Sequence, residues 1–163
     1  GAPAVRPAAP AEPSAPRWLV HSRKTEQTQV ALGFRTTHRR DERRFALRLL
    51  NVVLGENMSS RLFQGIRERH GLAYSIQSTG TAWSDCGDLV ISAGLEDATL
   101  ERALGLMLRE VRRLVDRAPG RAELERARDY AIGQADLSLE GSEPTMMWLG
   151  EQILGHGHLV PPE

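Results

Sequence analysis

The sequence has little of what specialised sites and compartments require. Its 163 residues include one cysteine, Cys86, which excludes an internal disulfide and leaves the compartment open. The 21 basic and 21 acidic side chains give a formal net charge of zero, which argues against a dedicated nucleic-acid binder. No apolar run approaches the roughly 20 residues that a membrane span needs. An ordinary globular domain is expected, with no nucleic-acid partner and no membrane span.

The motifs of zinc peptidases are absent as well. H-E-x-x-H and its inversion H-x-x-E-H bind zinc because they place two histidines on one helix face beside a carboxylate. Neither string occurs among the five histidines of this chain. The pair His156 and His158 has no acidic neighbour close by and is interpreted as part of a turn or surface. We therefore expect no metal ligands and no catalytic residues in this segment.

Cys86 is the one potential nucleophile of the thiol class, and its surroundings are unfavourable. It stands in "SDCGD", with Asp85 and Asp88 beside it. A reactive thiol needs an electropositive setting, whereas acidic neighbours raise its pKa. Cys86 is interpreted as a residue of a hairpin turn.

The proline distribution divides the chain. Residues 1–16 hold five of the nine prolines and almost no large apolar side chain. Such a segment buries too little to offset its ordering entropy, so an extended, semi-rigid Pro/Ala linker is predicted. A linker at this position suggests that another domain precedes it. Residues 17–163 are expected to form a single domain.

The hydrophobic pattern of residues 17–163 predicts strands first and helices later. Apolar residues alternate in "EQTQVALGF", as in a half-buried strand, and "LAYSIQSTGTAW" and "DLVISAG" flank a short turn, as in a hairpin. Helical spacing predicts a helix that buries Phe45 and ends at Gly55, a second that ends at Gly71, and three more after Asp97, the first burying Leu108. The fold class predicted is α+β, with helices packed on one face of an antiparallel or mixed sheet.

The stretch "GIRERHGLAYSI" carries the most informative pair. If Gly71 closes a helix, Arg67 lies in the last turn, where cations are favoured. Tyr74 follows in a strand, where Leu72, Tyr74 and Ile76 are predicted to share a face. Both long side chains can donate to peptide carbonyls or to an oxyanion. Spacing alone favours a structural role instead, in which Arg67 caps carbonyls and Tyr74 is a core aromatic with an exposed hydroxyl.

A family resemblance changes that balance. "EQTQVALGF", "LNVVLGENMSSRLFQGIRERHGLAYSI" and "SDCGDLVISAGLE", followed by long helices, resemble the C-terminal half-domain of pitrilysin-type zinc peptidases. This family, the inverzincins, includes the mitochondrial processing peptidase and its bacterial relatives. The resemblance covers nearly everything after the linker, and its core is "MSSRLFQGIRERHGLAYS".

The resemblance implies a fold and a function. In these peptidases two homologous α+β half-domains close like a clamshell around an unfolded peptide. The N-terminal half carries H-x-x-E-H, the zinc and the general base, and the C-terminal half supplies an arginine and a tyrosine that bind the substrate main chain. Arg67 and Tyr74 match that pair. The chain is thus expected to be the substrate-binding domain of a zinc metalloendopeptidase, inactive alone, with the zinc on a partner domain or subunit and a homo- or heterodimer as the full protein.

Two departures accompany the match. Relatives normally carry a further stretch after the position of "HGHLVPPE", so the half-domain is expected to be incomplete at its C-terminus. Glu56 and Asn57 stand where relatives tend to have glycines, which predicts a stiffer loop.

A non-enzymatic assembly module of the same family is the alternative function. Nucleic-acid binding by the basic run at residues 35–44 is disfavoured by the net charge.

Overall fold

The computed structural model describes residues 27–159. Three strands, β1 (Thr28–Thr36), β2 (Ala73–Ala82) and β3 (Gly87–Leu95), form one antiparallel sheet in the order β1-β3-β2. β1 pairs with β3 from Thr28, opposite Leu95, to Thr36, opposite Gly87. The last residue of β2, Ala82, also lies opposite Gly87. The predicted first strand and hairpin are therefore confirmed. The predicted linker, residues 1–16, lies outside the described residues.

The helices follow the predicted order. Helix α1 (Arg44–Asn51) continues as a π-helical turn over Val52–Glu56, and a second π-helical segment spans Phe63–Glu68. After a short 3₁₀ turn at Asp97–Thr99 come α2 (Leu100–Asp116), α3 (Arg121–Ser138) and α4 (Ser142–His156). Gly157, with φ of +78°, ends α4. No helix in the described part of the chain is long and apolar enough to cross a membrane.

The main core lies between the sheet and the helices. Its buried residues come from the two π-helical segments, from the residues that flank the second of them, from the two hairpin strands and from α2: Leu54, Leu62, Ile66, Leu72, Ala73, Ile76, Ile91, Ala93, Leu95, Ala103 and Met107. A smaller cluster joins Val52 and Val53 to Ala127 of α3. The α+β class with helices against an antiparallel sheet is confirmed.

Three local predictions were wrong. Phe45 is 63% exposed and Leu108 is 51% exposed, although both were assigned to apolar stripes. Phe45 instead packs beside Arg44, whose guanidinium carbon lies 4.3 Å from the ring centroid. Gly55 does not end the first helix. The helical backbone continues through a π-helical turn to Glu56, and Val52, Val53, Leu54 and Gly55 are buried within that turn.

Candidate functional site: the Arg67–Tyr74 corner

Gly71 forms a sharp corner between a helical segment and a strand. It has φ of +60°, the left-handed region that glycine adopts without a Cβ clash, as predicted. The Gly71 N–H donates to the Arg67 carbonyl at 3.0 Å, and the Leu72 N–H donates to the Ile66 carbonyl at 3.0 Å. This nested pair closes the segment and directs the chain into β2. Arg67 and Tyr74 therefore stand on opposite sides of one fixed turn.

Arg67 is exposed and lies on the outer side of the second π-helical segment. Its guanidinium carbon is 4.8 Å from the centroid of the Phe63 ring, close enough for a cation–π attraction of about 0.5–1 kcal/mol at an exposed site. The Phe63 ring orients the side chain while leaving its N–H donors unused by any carboxylate in residues 27–159. Arg67 is thus a cation held in place and available to a ligand.

Tyr74 points to solvent, so the predicted shared face with Leu72 and Ile76 was wrong. Tyr74 is 53% exposed, whereas Leu72 and Ile76 are buried. The reason is an irregularity in the pairing of β2 with β3: Ala73 is opposite Leu95 and Ser75 is opposite Gly94. Tyr74 is the extra residue of this bulge, and a bulge re-aims the side chain that it inserts.

The Tyr74 hydroxyl donates a hydrogen bond of 2.6 Å to Oε1 of Glu96, which directly follows β3. That hydrogen bond, together with the negative charge of Glu96, raises the pKa of the Tyr74 phenol above its ordinary value. The hydroxyl is therefore protonated at neutral pH, and its proton is directed at Glu96. Sequence reasoning missed Glu96, because it is the pairing of Ala73 with Leu95 in the folded sheet that places it beside Tyr74.

The corner presents two exposed polar groups without joining them. Within the described residues no hydrogen bond links Arg67 to Tyr74, since Arg67 contacts Phe63 and Tyr74 contacts Glu96. Chemically, the arrangement offers guanidinium donors and a phenol oxygen with lone pairs still able to accept. Such a set suits a main-chain amide, which has one acceptor and one donor.

An ion pair connects the corner segment to helix α3. Arg61, just before the second π-helical segment, donates from Nε and one terminal nitrogen to the two carboxylate oxygens of Glu123, both at 2.7 Å. Both side chains are mostly buried, with exposed fractions of 18% and 27%. The hydrogen bonds from Arg61 lower the pKa of Glu123. This fork-to-fork geometry is the strong form of an arginine–carboxylate pair.

Glu56 and Asn57, the two residues for which the resemblance predicts a stiffer loop, are both hydrogen-bonded. Glu56 accepts from the amide nitrogen of Asn51 at 2.7 Å and forms an ion pair with Arg48. Asn57 accepts the N–H of Ser59 at 2.8 Å through its side-chain oxygen, which forms an Asx turn. The bonds of Glu56 tie the end of the first π-helical segment to α1. The stiffer loop stays a prediction.

The described residues offer no site for a metal ion and no activated thiol. Residues 27–159 contain no cluster of three or more His, Cys, Asp or Glu side chains able to hold a metal. These residues therefore do not fit a zinc ion. Burial raises the pKa of Cys86, and its hydrogen bond with Asp85 raises it further. The direction was predicted from the acidic neighbours, but burial is the larger cause.

Comparison with known proteins finds sequence relatives of this chain among zinc proteases. The family model described as the Peptidase M16 inactive domain matches residues 1–130. An uncharacterized zinc protease of Streptomyces coelicolor is 38% identical over 135 residues, covering 83% of this chain and 29% of that protein. The matched part of the chain thus spans about a third of the length of such relatives.

Solved structures share the fold. The peptidase M16 inactive domain from Pseudomonas fluorescens superposes with a TM-score of 0.65 at 26% identity, over 69% of this chain and 27% of that one. A chain of complex III₂ from Candida albicans superposes with a TM-score of 0.71 at 16% identity, over 84% of this chain and 35% of that one. The second likeness concerns the fold alone.

Proposed function

Because the chain belongs to the Peptidase M16 inactive-domain family, we propose that it is the substrate-binding domain of a zinc metalloendopeptidase that cleaves unfolded peptides. In this role Arg67 and Tyr74 hold the substrate main chain, and the zinc and the general base belong to another domain or subunit. The observation that carries the proposal is the exposure of both side chains on either side of the fixed Gly71 corner.

The contacts at the corner suggest how the two side chains divide the work. Arg67 has no carboxylate partner in the described structure, so its N–H groups can donate to a peptide carbonyl. The single proton of Tyr74 is directed at Glu96, which leaves the phenol oxygen to accept a main-chain N–H. An extended peptide supplies both groups, whatever its side chains. This division fits a domain that binds many unfolded sequences.

The exposed position of Arg67 also fits a role in the reaction. A hydrogen bond from a charged donor contributes about 1.5–3 kcal/mol. If it strengthens as the carbonyl oxygen gains negative charge, it accelerates cleavage as well as binding. Arg67 then touches the substrate beside the reacting bond, although it performs no proton transfer.

Hydrolysis of a quenched fluorescent peptide tests the proposal. The chain is assayed alone, and then mixed with a zinc-bearing half that carries H-x-x-E-H, with and without a chelator. We expect activity only in the mixture, loss of activity with chelator, and a lower rate for Tyr74→Phe. Tyr130→Phe, which removes the other tyrosine hydroxyl from α3, is the matched control and should match wild type. Equal rates for the two tyrosine variants would refute the role of Tyr74.

One observation favours an assembly module as the second candidate. Helices α3 and α4 leave large apolar side chains exposed: Leu124, Ile132, Leu137, Met146, Met147, Ile153 and Leu154. Apolar surface of this extent commonly marks a protein interface. An assembly role predicts a stable complex with the zinc-bearing half whose activity is unaffected by changes at Arg67 and Tyr74.

A further inference from the structure

A cavity of about 560 Å³ opens beside the Gly71 corner, between the corner and one face of α2. It is lined on the corner side by His70. The lining on the helix side includes Ala98, Glu101, Arg102, Gly105 and Arg109. The start of α2 adjoins the corner, since Oγ1 of Thr99 lies 3.4 Å from the carbonyl oxygen of Leu72. This space is the α2 cavity.

The α2 cavity lies next to the pair that is proposed to hold the substrate. His70 directly precedes the glycine of the corner. Ala98 comes two residues after Glu96, which accepts the hydrogen bond from the Tyr74 hydroxyl. Consecutive Cα atoms are about 3.8 Å apart, so the Cα atoms of Ala98 and Glu96 are separated by at most about 7.6 Å. An extended peptide covers that distance in roughly two residues, so a peptide at the corner can continue into the cavity.

Two arginines of the α2 cavity, Arg102 and Arg109, have no carboxylate partner in the described part of the chain. Both are exposed, and neither forms a hydrogen bond or ion pair with another side chain of residues 27–159. The sequence explains this, because no acidic residue stands three or four positions before or after either of them, where helix ion pairs form. Arg112 and Arg113, further along α2, each pair with an acidic residue of the same helix. The charges of Arg102 and Arg109 are thus available to a ligand.

Gly105 leaves room between the two guanidinium groups. Arg102 and Arg109 are seven residues apart, which is nearly two helical turns, so they lie on the same face of α2 about 10 Å apart along its axis. Gly105 stands between them, and in the described structure a Cβ there would meet no atom outside its own stretch of helix within 4 Å. His70, on the corner side, adds an imidazole N–H as a further donor. The cavity thus combines space with donors on both sides of it.

The charge of the lining favours an anion. Glu101 is the single acidic residue of the lining against two arginines, so the formal charge of the cavity is +1 with His70 neutral. Glu101 lies in the first turn of α2, where the helix dipole stabilises a carboxylate without a cationic partner. A guanidinium binds a carboxylate through two parallel N–H···O bonds, the geometry that makes arginine the preferred partner of such groups. In an unfolded peptide, aspartate and glutamate side chains supply the carboxylates.

We propose that the α2 cavity binds the carboxylate of an aspartate or glutamate side chain in the peptide that the corner holds. This inference rests on the function proposed above and adds a substrate class to it. Arg67 and Tyr74 contact the main chain, which every peptide shares. Arg102 and Arg109 contact the acidic side chain, so the domain prefers acidic unfolded peptides.

Fluorescence anisotropy of the full chain with two labelled peptides tests the proposal. Both peptides are blocked at both ends; one alternates serine with glutamate and the other alternates serine with glutamine, so that they differ only in side-chain charge. We expect the glutamate peptide to bind about tenfold more tightly, the gain that one charge-assisted contact gives. Equal binding of the two peptides by the wild-type chain would overturn the proposal.

Arginine variants locate the site. Arg102→Gln and Arg109→Gln should each remove most of the preference for the glutamate peptide. Arg117→Gln is the matched control, because it removes an exposed arginine that lines a different cavity, and it should retain the preference. Thermal unfolding establishes that the variants are folded. The same preference in Arg109→Gln and Arg117→Gln would overturn the assignment.

Gly105→Glu tests the space between the arginines independently. The new carboxylate stands four residues before Arg109 and three after Arg102, positions at which helix ion pairs form, so the chain itself occupies the cavity. The variant should lose the preference for the glutamate peptide. Its Tm should not fall, because glycine is replaced by a better helix former. An unchanged preference would contradict binding between the two arginines.

Arg67→Ala separates this inference from the proposed function. If the corner holds the main chain, the variant weakens binding of both peptides by the same factor and the preference for glutamate is unchanged. Unaltered affinity for both peptides would refute the role of Arg67. The comparison of Arg109→Gln with Arg117→Gln would still decide whether the α2 cavity binds the carboxylate.

Discussion

Replacing Gly55 with alanine should destabilise the protein, although the position is helical. Helix propensity alone favours alanine over glycine by about 0.8–1 kcal/mol. At Gly55, however, a Cβ would lie 2.7 Å from Ser78 Oγ, 2.8 Å from the Ser78 backbone nitrogen and 2.8 Å from Leu62 Cδ1. Ordinary van der Waals contacts begin at 3.4 Å. Leu62 and Ser78 are both buried, so neither can move away freely.

The two effects on stability have opposite signs, and their magnitudes decide the outcome. Overpacking of a close-packed site costs typically about 1–3 kcal/mol, and displacement of Ser78 would also weaken its hydrogen bond to Asn51. After subtraction of the propensity gain, Gly55→Ala should destabilise by about 1–2 kcal/mol. For a domain of this size that lowers Tm by roughly 2–8 °C.

Gly105→Ala is the matched control, and thermal unfolding by circular dichroism is the assay. Gly105 lies inside α2, and in the described structure no atom outside its own stretch of helix lies within 4 Å of where its Cβ would stand. Only the higher helix propensity of alanine acts at this position, so the variant should be more stable than wild type by about 0.5–1 kcal/mol. If Gly55→Ala were as stable as wild type or more so, the close packing of the first π-helical turn against β2 would be refuted.

Two further predictions concern the ionisable groups. Glu123→Gln should cost about 1–3 kcal/mol by denaturant unfolding, because it removes a mostly buried bidentate partner of Arg61. The lowered pKa of Glu123 means that the pair stabilises fully above the ordinary carboxyl pKa of 4.5 and loses that contribution as pH falls through the lower folded value. The variant should therefore lose less stability between neutral and acidic pH than wild type, and parallel pH profiles would contradict this. Glu96→Gln should lower the pKa of Tyr74 toward 10.0, measured by ultraviolet titration in a Tyr130→Phe background; an unchanged titration would contradict the Tyr74–Glu96 hydrogen bond.

The sequence was sufficient for features that depend on local chemistry. Alternating apolar residues in β1, the turn formers before Gly87 and the left-handed glycine at Gly71 each have one common structural solution, and the fold contains all three. The corner that carries Arg67 and Tyr74 was predicted for this reason. The resemblance supplied what spacing could not, because spacing alone favoured a structural role for both residues.

Features that depend on tertiary packing were not predictable in the same way. A bulge at Tyr74 leaves no mark on the alternation pattern, yet it moves the ring from the core face to solvent. The orientation of α1 against β2 determines that Phe45 is exposed and Asn51 buried, and helical spacing does not specify that orientation. Glu96 became visible as a partner of Tyr74 only through strand register.

The central claim is that Arg67 binds the substrate main chain, and one kinetic comparison tests it most directly. The value of kcat/KM for peptide hydrolysis is measured in the mixture with the zinc-bearing half, for Arg67→Ala and for Arg69→Ala, an exposed arginine that directly follows the same segment. Loss of a charged hydrogen bond of about 1.5–3 kcal/mol corresponds to a decrease of about 10- to 150-fold. The account predicts that decrease for Arg67→Ala alone. Equal kcat/KM for the two variants would contradict it.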